Sequence, residues 1–242
     1  HGGILAREGT DEADLQRISA EFIDMVVVNL YPFEATLKKP DAAFADLIEN
    51  IDIGGPSMLR SAAKNHARVA VVCDPTDYAQ IIAELKAEGG LSQATRQRLA
   101  AKAFAHTAAY DAAISGWLSK QDQADGYPAF MTLPFEKAYG LRYGENPHQS
   151  GAFYRERTAE PGSLSRAESL GTGAKELSFN NLVDVDAALE AVRELEGPGA
   201  VVIKHAGPCG AATGSDLRSA YYAAREADAM SAFGGIVALN RE

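Results

Sequence analysis

A lysine and a histidine stand side by side where an apolar segment runs into a Gly/Pro turn. Lys204 and His205 follow the β-branched run at residues 201–203. Neighbouring residues of a strand point to opposite faces, but at a strand end that breaks into a turn both side chains can face one cleft. The lysine would then supply a cation and the histidine a proton acceptor to one reaction. The alternative is an ordinary strand end with a solvated lysine and a hydrogen-bonded histidine.

Two further polar segments could recognise a nucleotide. Residues 142–149 place an arginine, a tyrosine, an asparagine and a histidine in one short loop, and a guanidinium is well suited to bidentate phosphate binding. The side-chain amides of Asn180 and Asn181 could read a heteroaromatic ring. For the first segment the alternative is an ordinary polar loop, and for the second it is a helix cap.

A third candidate site opens a predicted helix in the N-terminal half. Gly54 and Gly55 follow Asp52, and unhindered backbone amides at a helix start suit a phosphate or an oxyanion. Lys64 closes the same helix, where a cation could also simply complement the helix dipole. By composition alone a Gly-Gly-Pro turn is equally an ordinary loop, so the segment gains meaning only beside the other motifs.

A metal site is not predicted. Zinc deaminases combine a His-x-Glu pair with a Pro-Cys-x-x-Cys motif. Here Pro208 and Cys209 occur close to His205, but the second thiolate and the glutamate are both missing from the pattern. Zinc needs those ligands to complete its coordination, so we predict that the chain holds no metal.

Apolar runs and amphipathic segments alternate along the chain, which predicts α/β structure with a parallel sheet in the N-terminal half. The predicted strands cover residues 25–30, 69–73, 200–204 and 233–239. The predicted helices cover residues 11–22, 42–48, 57–65, 76–85, 92–120 (as one helix or two), 187–195 after a cap at Asp184, and 215–228. The alternation of apolar runs and amphipathic segments becomes irregular from residue 121 to residue 140. We therefore place a boundary near residue 134, between domains at residues 1–134 and 135–242.

Composition narrows the class of protein. The chain has 242 residues, of which 46% are hydrophobic, and a formal net charge of -10. The length suggests two units, and the acidic balance disfavours a nucleic-acid partner because phosphate backbones are bound by basic stripes. No apolar stretch approaches the roughly 20 residues of a membrane span. With only Cys73 and Cys209 a disulfide framework is not expected, and we expect a soluble, cytoplasmic protein whose abrupt ends mark a fragment.

Taken in order, the polar motifs form a recognisable set. They are Asn29-Leu30-Tyr31-Pro32, Asp52-Ile53-Gly54-Gly55, Lys64-Asn65-His66, Arg142-Tyr143-Gly144-Glu145-Asn146-Pro147-His148, Lys204-His205, Pro208-Cys209-Gly210 and Ser231-Ala232-Phe233-Gly234-Gly235. With these motifs the chain resembles the PurH family of bifunctional purine biosynthesis enzymes, which join an IMP cyclohydrolase to an AICAR transformylase. The resemblance covers nearly the whole chain, in the family's order and with its approximate spacings.

The resemblance implies a fold and two consecutive reactions. Residues 1–134 would form a methylglyoxal-synthase-like α/β cyclohydrolase domain with a three-layer parallel sheet, and residues 135–242 the start of a cytidine-deaminase-like α/β transformylase domain without zinc. The transformylase moves a formyl group from 10-formyltetrahydrofolate to AICAR, giving FAICAR, and the cyclohydrolase closes FAICAR to IMP with loss of water. A cytoplasmic homodimer is implied, with AICAR, FAICAR and IMP as partners instead of nucleic acid or a membrane.

For the transformylase, the resemblance assigns catalysis to Lys204 and His205 and phosphate binding to Arg142. The amine of AICAR is a poor nucleophile because its lone pair is delocalised. A proton acceptor and a cation that stabilises an oxyanion therefore supply what formyl transfer lacks. The other residues implied to line the AICAR pocket are Tyr143, Asn181 and Gly234.

For the cyclohydrolase, the resemblance implies a site around the formamide of FAICAR. Its catalytic residues would be Tyr31, Asp52 and Lys64. Asn29 would contact the formamide, while the backbone amides of Ile53 and Gly54 would polarise its oxygen. Ring closure needs that polarisation, because an amide nitrogen attacks a weakly electrophilic formyl carbon.

The sequence departs from the family at Gly207, where the family usually has asparagine or sometimes serine. We therefore expect a tuned transformylase site that lacks one polar contact. Parts of both sites, including much of the folate site, would lie before His1 and after Glu242, so we expect this chain alone to complete neither reaction. The competing hypothesis is a non-catalytic purine-nucleotide-binding module that keeps Arg142, Asn181 and the Gly54–Gly55 amides without turnover.

Overall fold

The computed structural model describes residues 1–121, 127–157, 161–171 and 176–241. The chain divides into two units, His1–Pro134 (unit 1) and Phe135–Glu242 (unit 2). Part of the segment in which the sequence pattern loosens, residues 122–126, lies outside the described residues. Within the described ranges, none of the helices combines the length and the apolar content that crossing a bilayer would require.

Unit 1 is built around two short parallel strands. β1 (Met25–Val27) pairs in parallel with β2 (Ala70–Val72). The helices of unit 1 are α1 (Gly2–Leu5), α2 (Glu12–Arg17), α3 (Phe33–Leu37), α4 (Phe44–Glu49), α5 (Gly54–Lys64), α6 (Tyr78–Glu88) and α7 (Gln93–Ser119), with a 3-10 turn at Pro75–Asp77. Parallel strands connected through helices agree with the α/β class predicted for this half.

Two buried clusters hold unit 1 together. All three residues of β2 are buried, and Val71 and Val72 lie in one cluster with Leu59 of α5 and Ala103 of α7. In the second cluster, the ring of Phe33 meets those of Tyr110 and Trp117 edge-on, with centroid separations of 6.3 and 5.6 Å. The second cluster anchors α3 to α7, and with it the loop that leads from β1 into α3.

Unit 2 contains an antiparallel sheet and a separate hairpin. In the sheet, β5 (Gly199–Lys204) lies between β6 (Gly207–Thr213) and β7 (Ile236–Leu239) and pairs antiparallel with both. The hairpin consists of β3 (Phe135–Leu141) and β4 (Gly151–Glu156). The helices are α8 (Phe179–Arg193) and α9 (Leu217–Ala227), with a 3-10 turn at Leu164–Arg166.

Both faces of β5 are buried, which explains its continuous apolar sequence. Val201 and Ile203 lie in one cluster with residues of α8. Val202 lies in the other cluster, with Ala220 and Ala224 of α9. Because side chains alternate along a strand, this division places one helix on each face of the sheet. The end of β5 is thereby held in a rigid layered core.

The structure differs from the sequence pattern at several element boundaries. The helix predicted from residue 187 begins at Phe179, because Ser178 and not Asp184 caps it. The pattern did not predict β3, β4 or β6; β6 is rich in glycine and alanine and gains its order from pairing with β5. Other elements with changed bounds are the first strand ending at Val27, α2 ending at Arg17, α5 beginning at Gly54 and β7 beginning at Ile236.

Candidate functional site

The start of α8 is fixed by a reciprocal cap between Ser178 and Asn181. The Ser178 hydroxyl donates to Asn181 Oδ1 (2.9 Å) and accepts from the backbone amide of Asn181 (3.3 Å). Asn181 Oδ1 also accepts from the backbone amide of Ser178 (3.0 Å). Ser178 is fully buried. With Oδ1 engaged in the cap, the Nδ2 group is the part of the Asn181 side chain that can donate to a ligand.

The polar loop at residues 142–149, the Arg142 loop, is bonded to this same helix end. The amide of Arg142 donates to the carbonyl of Leu177 (2.9 Å). The amide of Phe179 donates to the carbonyl of Tyr143 (3.2 Å), and the side chain of Asn180 donates to a carbonyl of the loop (3.0 Å). These bonds hold the Arg142 loop against the residues that begin α8.

The guanidinium of Arg142 is exposed and held by its neighbour. Its central carbon lies 4.8 Å from the centre of the Tyr143 ring, and Nη2 donates to the Tyr143 hydroxyl (3.2 Å). The N-terminus of a 15-residue helix adds partial positive charge at the same place. A fixed guanidinium beside a helix N-terminus favours a phosphate, even in a chain of net charge -10.

The Lys204–His205 pair stands at a tight hairpin turn. Lys204 pairs with Gly207 across the β5–β6 ladder, so His205 and Ala206 form a two-residue loop. Both loop residues have positive φ, 53° and 58°, as in a type I′ turn. His205 is exposed, and the half-buried Lys204 donates from Nζ to the carbonyl of Phe233 (3.0 Å). A strand end followed by a turn is found as predicted, although the turn precedes the Gly/Pro residues.

Two hydrogen bonds join this turn to the other polar residues. Lys204 Nζ donates to the carbonyl of Phe233, the residue before Gly234. Gly234 has a φ of 79°. The amide of Ala206 donates to Asp184 Oδ1 (2.8 Å). Asp184 lies three positions after Asn181 on α8, and side chains at that spacing are neighbours on a helix surface. Hydrogen bonds thus link two groups of predicted residues to α8: Arg142, Tyr143 and Asn181 at its start, and, through Asp184, the turn that carries Lys204 and His205, with Gly234 beside Lys204.

In unit 1, residues after β1 meet the start of α5. Asn29 and Tyr31 follow β1 and are exposed. The amide of Tyr31 donates to Asp52 Oδ2 (3.4 Å), and the amide of Gly55 donates to Asp52 Oδ1 (2.7 Å). The carboxylate of Asp52 therefore ties the loop after β1 to the N-terminus of α5, a structural role in addition to the catalytic one implied by sequence.

The N-terminus of α5 is open to a ligand. The helix begins at Gly54, so the predicted oxyanion-binding amides are those of the N-cap residue, Ile53, and of the first helical residue, Gly54. Ile53 is 79% exposed, and a Cβ on Gly54 would meet no atom within 4 Å. On Gly55, in contrast, a Cβ would collide with the carboxylate of Asp52, so only glycine allows that carboxylate to approach the helix.

Lys64 is separated from the other predicted cyclohydrolase residues. It is the last residue of α5, and ten residues of helical rise place it about 15 Å along the axis from Gly54. Its side chain is exposed. Unit 1 therefore does not bring Lys64 next to Asp52.

An ion-pair network follows β2. Lys102 Nζ lies 2.7 Å from Asp74 Oδ2 and 2.6 Å from Asp77 Oδ2, and Arg98 reaches Asp77 Oδ1 at 2.9 Å. Hydrogen bonds, first from Lys102 and then from Thr76, lower the pKa of Asp74 to about 2. Burial acts to raise the pKa of Asp77, but the hydrogen bonds from Lys102 and Arg98 outweigh it and lower that pKa.

Sequence reasoning missed supporting residues in both units. Asp184 was interpreted as a helix cap, and no local pattern shows that it meets Ala206. The helix cap given above as the alternative for the Asn180–Asn181 segment is found, because Ser178 caps α8. Tyr110, which meets the backbone of Asp52 from α7, gave no local signal.

Metal-binding side chains and thiols add no further site. The described residues hold no group of three or more histidine, cysteine, aspartate or glutamate side chains placed to bind a metal ion. Cys73 and Cys209 are both free thiols, and Cys73 is buried. Burial raises the pKa of the Cys73 thiol above its ordinary value, which disfavours the reactive thiolate.

Comparison with known proteins places the chain in a family. The family model described as "AICARFT/IMPCHase bienzyme" matches residues 62–242, and an MGS-like domain model matches residues 4–57. These matches confirm the resemblance deduced from the motifs and the fold class that it implied.

Bifunctional purine biosynthesis proteins are similar to this chain over its whole length. The bifunctional purine biosynthesis protein PurH of Sorangium cellulosum (strain So ce56) is 65% identical, covering 100% of this chain and 48% of the relative. That of Bacillus cytotoxicus is 52% identical, covering 100% of this chain and 47% of the relative. The chain thus spans about half the length of the curated relatives it matches. It belongs to the AICARFT/IMPCHase bienzyme family.

Proposed function

We propose that the chain carries parts of both sites of a bifunctional purine enzyme. Unit 2 would bind AICAR and support transfer of a formyl group to it from 10-formyltetrahydrofolate, and unit 1 would support closure of FAICAR to IMP with loss of water. The observation that carries the proposal is the hydrogen bonding of two predicted segments to α8. The Arg142 loop is hydrogen-bonded to the residues that begin α8, and the turn that carries His205 is hydrogen-bonded to Asp184 further along the same helix, which supports a shared site for these residues.

The AICAR end of the proposed site follows from charge and hydrogen bonding. Arg142 and the N-terminus of α8 would hold the 5′-phosphate. The Nδ2 group of Asn181 would donate to the carboxamide or to the ring of the base. Gly234 would let the base approach the backbone, since no side chain projects from it.

Formyl transfer then needs one proton acceptor and one stabilised oxygen. The amine of AICAR forms a bond to the formyl carbon, and the bond from that carbon to N10 of the folate breaks. His205 would accept the amine proton, and N10 leaves with a proton. Lys204 keeps further N–H donors beyond the one given to the Phe233 carbonyl, so it can stabilise the oxyanion on the formyl carbon.

Ring closure in unit 1 uses the start of α5. The carboxamide nitrogen of FAICAR attacks the formyl carbon, and the oxygen of that carbon leaves as water. The amides of Ile53 and Gly54 would stabilise the negative charge that develops on the oxygen. Tyr31, Asn29 and Asp52 would orient the formamide from the loop after β1. A contribution from Lys64 stays a prediction.

Three wider properties belong to the same proposal. The co-substrate would be 10-formyltetrahydrofolate, in keeping with the transformylase part of the family's name. The protein would be cytoplasmic, which two free thiols support. It would also act as a homodimer, and no metal would take part.

Calorimetric titration of AICAR tests the proposal at Arg142. In a full-length bienzyme that carries this sequence, Arg142→Ala should weaken AICAR binding by about 10- to 100-fold, because a charge-assisted phosphate contact is lost. Arg142→Lys should recover only part of it, because lysine lacks the bidentate fork. Arg218→Ala is the control, since Arg218 follows the far end of β6.

Turnover measured beside binding separates the enzyme from the alternative. Formyl transfer by the wild-type protein at saturating AICAR and 10-formyltetrahydrofolate supports the enzyme. AICAR binding without transfer would support the non-catalytic nucleotide-binding module. Arg142→Ala that binds AICAR as well as the Arg218→Ala control would contradict the assignment of the phosphate site.

A further inference from the structure

The turn that carries His205 has an unfavourable backbone conformation for its sequence. His205 and Ala206 have φ values of 53° and 58°, in the left-handed region where a Cβ crowds the backbone. Two-residue hairpin loops with positive φ at both positions strongly prefer Asn-Gly or Gly-Gly. The two loop residues here are histidine and alanine, and neither supplies that preference. The surrounding structure must therefore impose the conformation on the turn.

One side chain outside the hairpin reaches the turn backbone. Asp184 of α8 accepts a hydrogen bond from the amide of Ala206 at 2.8 Å. An ionised carboxylate makes a stronger hydrogen bond to an amide than a neutral oxygen does. Asp184 lies one helical turn before Ala188, which packs with Val192 of the same helix against Ile203 of β5, so its position is fixed relative to the end of the strand that leads into the turn.

Asp184 also connects the two halves of the site in unit 2. It lies one helical turn from Asn181, whose side chain closes the cap at the start of α8. The Arg142 loop is bonded to the residues just before and within that first turn. A change in the position of the hairpin turn relative to α8 would thus move His205 relative to the residues that would hold AICAR.

We propose that Asp184 is a positioning residue for formyl transfer: by holding the Ala206 amide, it keeps the His205–Ala206 turn left-handed and directs the His205 side chain toward the amine of bound AICAR. The inference rests on the proposed function of unit 2. Asp184 itself touches the turn backbone, and neither proton transfer nor substrate binding is assigned to it.

The test compares Asp184→Ala, Asp184→Asn and Asp186→Ala in a full-length bienzyme that carries this sequence. Asp184→Ala removes the acceptor, whereas Asp184→Asn keeps an acceptor oxygen of nearly the same shape. Asp186 is an exposed carboxylate two residues along the same helix, where it points in a different direction. The readouts are kcat and KM for AICAR in formyl transfer, cyclisation of supplied FAICAR, and hydrogen exchange of the Ala206 amide.

The proposal predicts a loss confined to the chemical step of one reaction. Asp184→Ala should lower kcat for formyl transfer by about 10- to 100-fold, as expected when a catalytic group is misplaced by about 1 Å. KM for AICAR and the cyclisation rate should stay close to wild type, because Arg142, Asn181 and unit 1 are unchanged. The Ala206 amide should exchange faster. Asp184→Asn should restore most of kcat, and Asp186→Ala should match wild type throughout.

Two results would overturn the proposal. Wild-type kcat in Asp184→Ala would show that the turn needs no support from α8. Equal loss of formyl transfer and cyclisation in that variant would show a general folding role. A wild-type protein that transfers no formyl group would instead contradict the proposed function of unit 2. Faster exchange of the Ala206 amide in Asp184→Ala would then still show that Asp184 holds the turn.

Discussion

The hydroxyl of Tyr110 bridges two backbone groups on either side of Ile51. Its oxygen accepts a hydrogen bond from the amide of Asp52 (2.8 Å) and donates to the carbonyl of Asn50 (2.9 Å). Tyr110 is 5% exposed, and its ring packs edge-on against Phe33. Since the Asp52 carboxylate binds the backbone amides of Tyr31 and Gly55, this buried phenol fixes the backbone of Asp52 between the loop after β1 and the start of α5.

Tyr110→Phe tests that relationship with the smallest possible change. The ring remains, but the amide of Asp52 and the carbonyl of Asn50 lose their partner. We expect the free energy of unfolding to fall by about 1–3 kcal/mol. Cyclisation of FAICAR should slow while formyl transfer is retained. Denaturant unfolding and the two activity assays measure these effects, with Tyr78→Phe as the control, and a fully active, equally stable Tyr110→Phe would contradict the assignment.

The cap of α8 gives a second prediction. Ser178→Ala removes the hydroxyl that pairs with both the amide and the Oδ1 atom of Asn181. The free energy of unfolding should fall by about 0.5–2 kcal/mol, as for other N-cap serines. AICAR binding should weaken as well, because the Asn181 side chain is no longer held. Calorimetric titration showing unchanged affinity would mean that Asn181 takes no part in binding.

Two glycines of β6 should respond differently to substitution. A Cβ on Gly207 would make only ordinary contacts, 3.7 and 3.9 Å from the carbonyl oxygens of Lys204 and His205. Gly207→Asn, which restores the residue usual in the family, should therefore change the free energy of unfolding by less than about 0.5 kcal/mol and leave formyl transfer intact or faster. Loss of formyl transfer in Gly207→Asn would contradict the expectation of a merely tuned site.

Gly210 is the matched comparison on the same strand. A Cβ at this position would collide with the carbonyl oxygen of Ala224 on α9. Gly210→Ala should therefore destabilise the protein by about 1–3 kcal/mol through overpacking. Thermal unfolding of both glycine variants checks the contrast, and equal stability of the two would show that α9 can move away from β6.

The ion pairs around Lys102 predict an acid-labile part of the stability of unit 1. In the folded state the pKa of Asp74 is about 2, below its ordinary value of 3.8, and the pKa of Asp77 is lowered as well. A carboxyl group with a depressed folded pKa stabilises the protein above its unfolded pKa. This contribution should be complete above about pH 4 and disappear as the pH falls toward about 2.

Lys102→Met isolates that contribution. The variant removes the cation that both carboxylates share and leaves Asp77 buried with Arg98 alone. It should be less stable at neutral pH and should lose less stability than wild type between pH 4 and pH 2. Denaturant midpoints measured across that pH range provide the test, with the exposed Lys86→Met as the control. An equal loss of stability between pH 4 and pH 2 in wild type and in Lys102→Met would contradict this role of Lys102.

Much of this architecture is predictable from local sequence, because strong patterns coincide with buried elements. The run at residues 201–203 is apolar because both faces of β5 are covered, and the pattern predicts a strand there. The helix of residues 92–120 is likewise found, as α7 with a serine cap. The chemistry of the Lys204–His205 pair and of the Arg142 loop marks both in the sequence, and hydrogen bonds link both to the N-terminal half of α8.

What the sequence could not show depends on contacts between distant positions. Tyr110 reaches Asp52 across 58 positions, and Asp184 reaches Ala206 across 22. Neither contact has a local signature. β6 lacks β-branched residues before Thr213, and pairing with β5 decides its structure. The role of Lys64 stays a prediction, because its motif suggests a shared site while the length of α5 separates its backbone from the start of that helix.

The central claim is that His205 performs proton transfer in one of two separate sites. The most direct measurement is formyl transfer and FAICAR cyclisation by His205→Asn in a full-length bienzyme that carries this sequence. Asparagine tolerates the left-handed conformation of residue 205, so the turn should persist. Formyl transfer should fall by about 100-fold or more, while cyclisation of supplied FAICAR stays at its wild-type rate. Unchanged formyl transfer, or equal loss of both activities, would contradict the account.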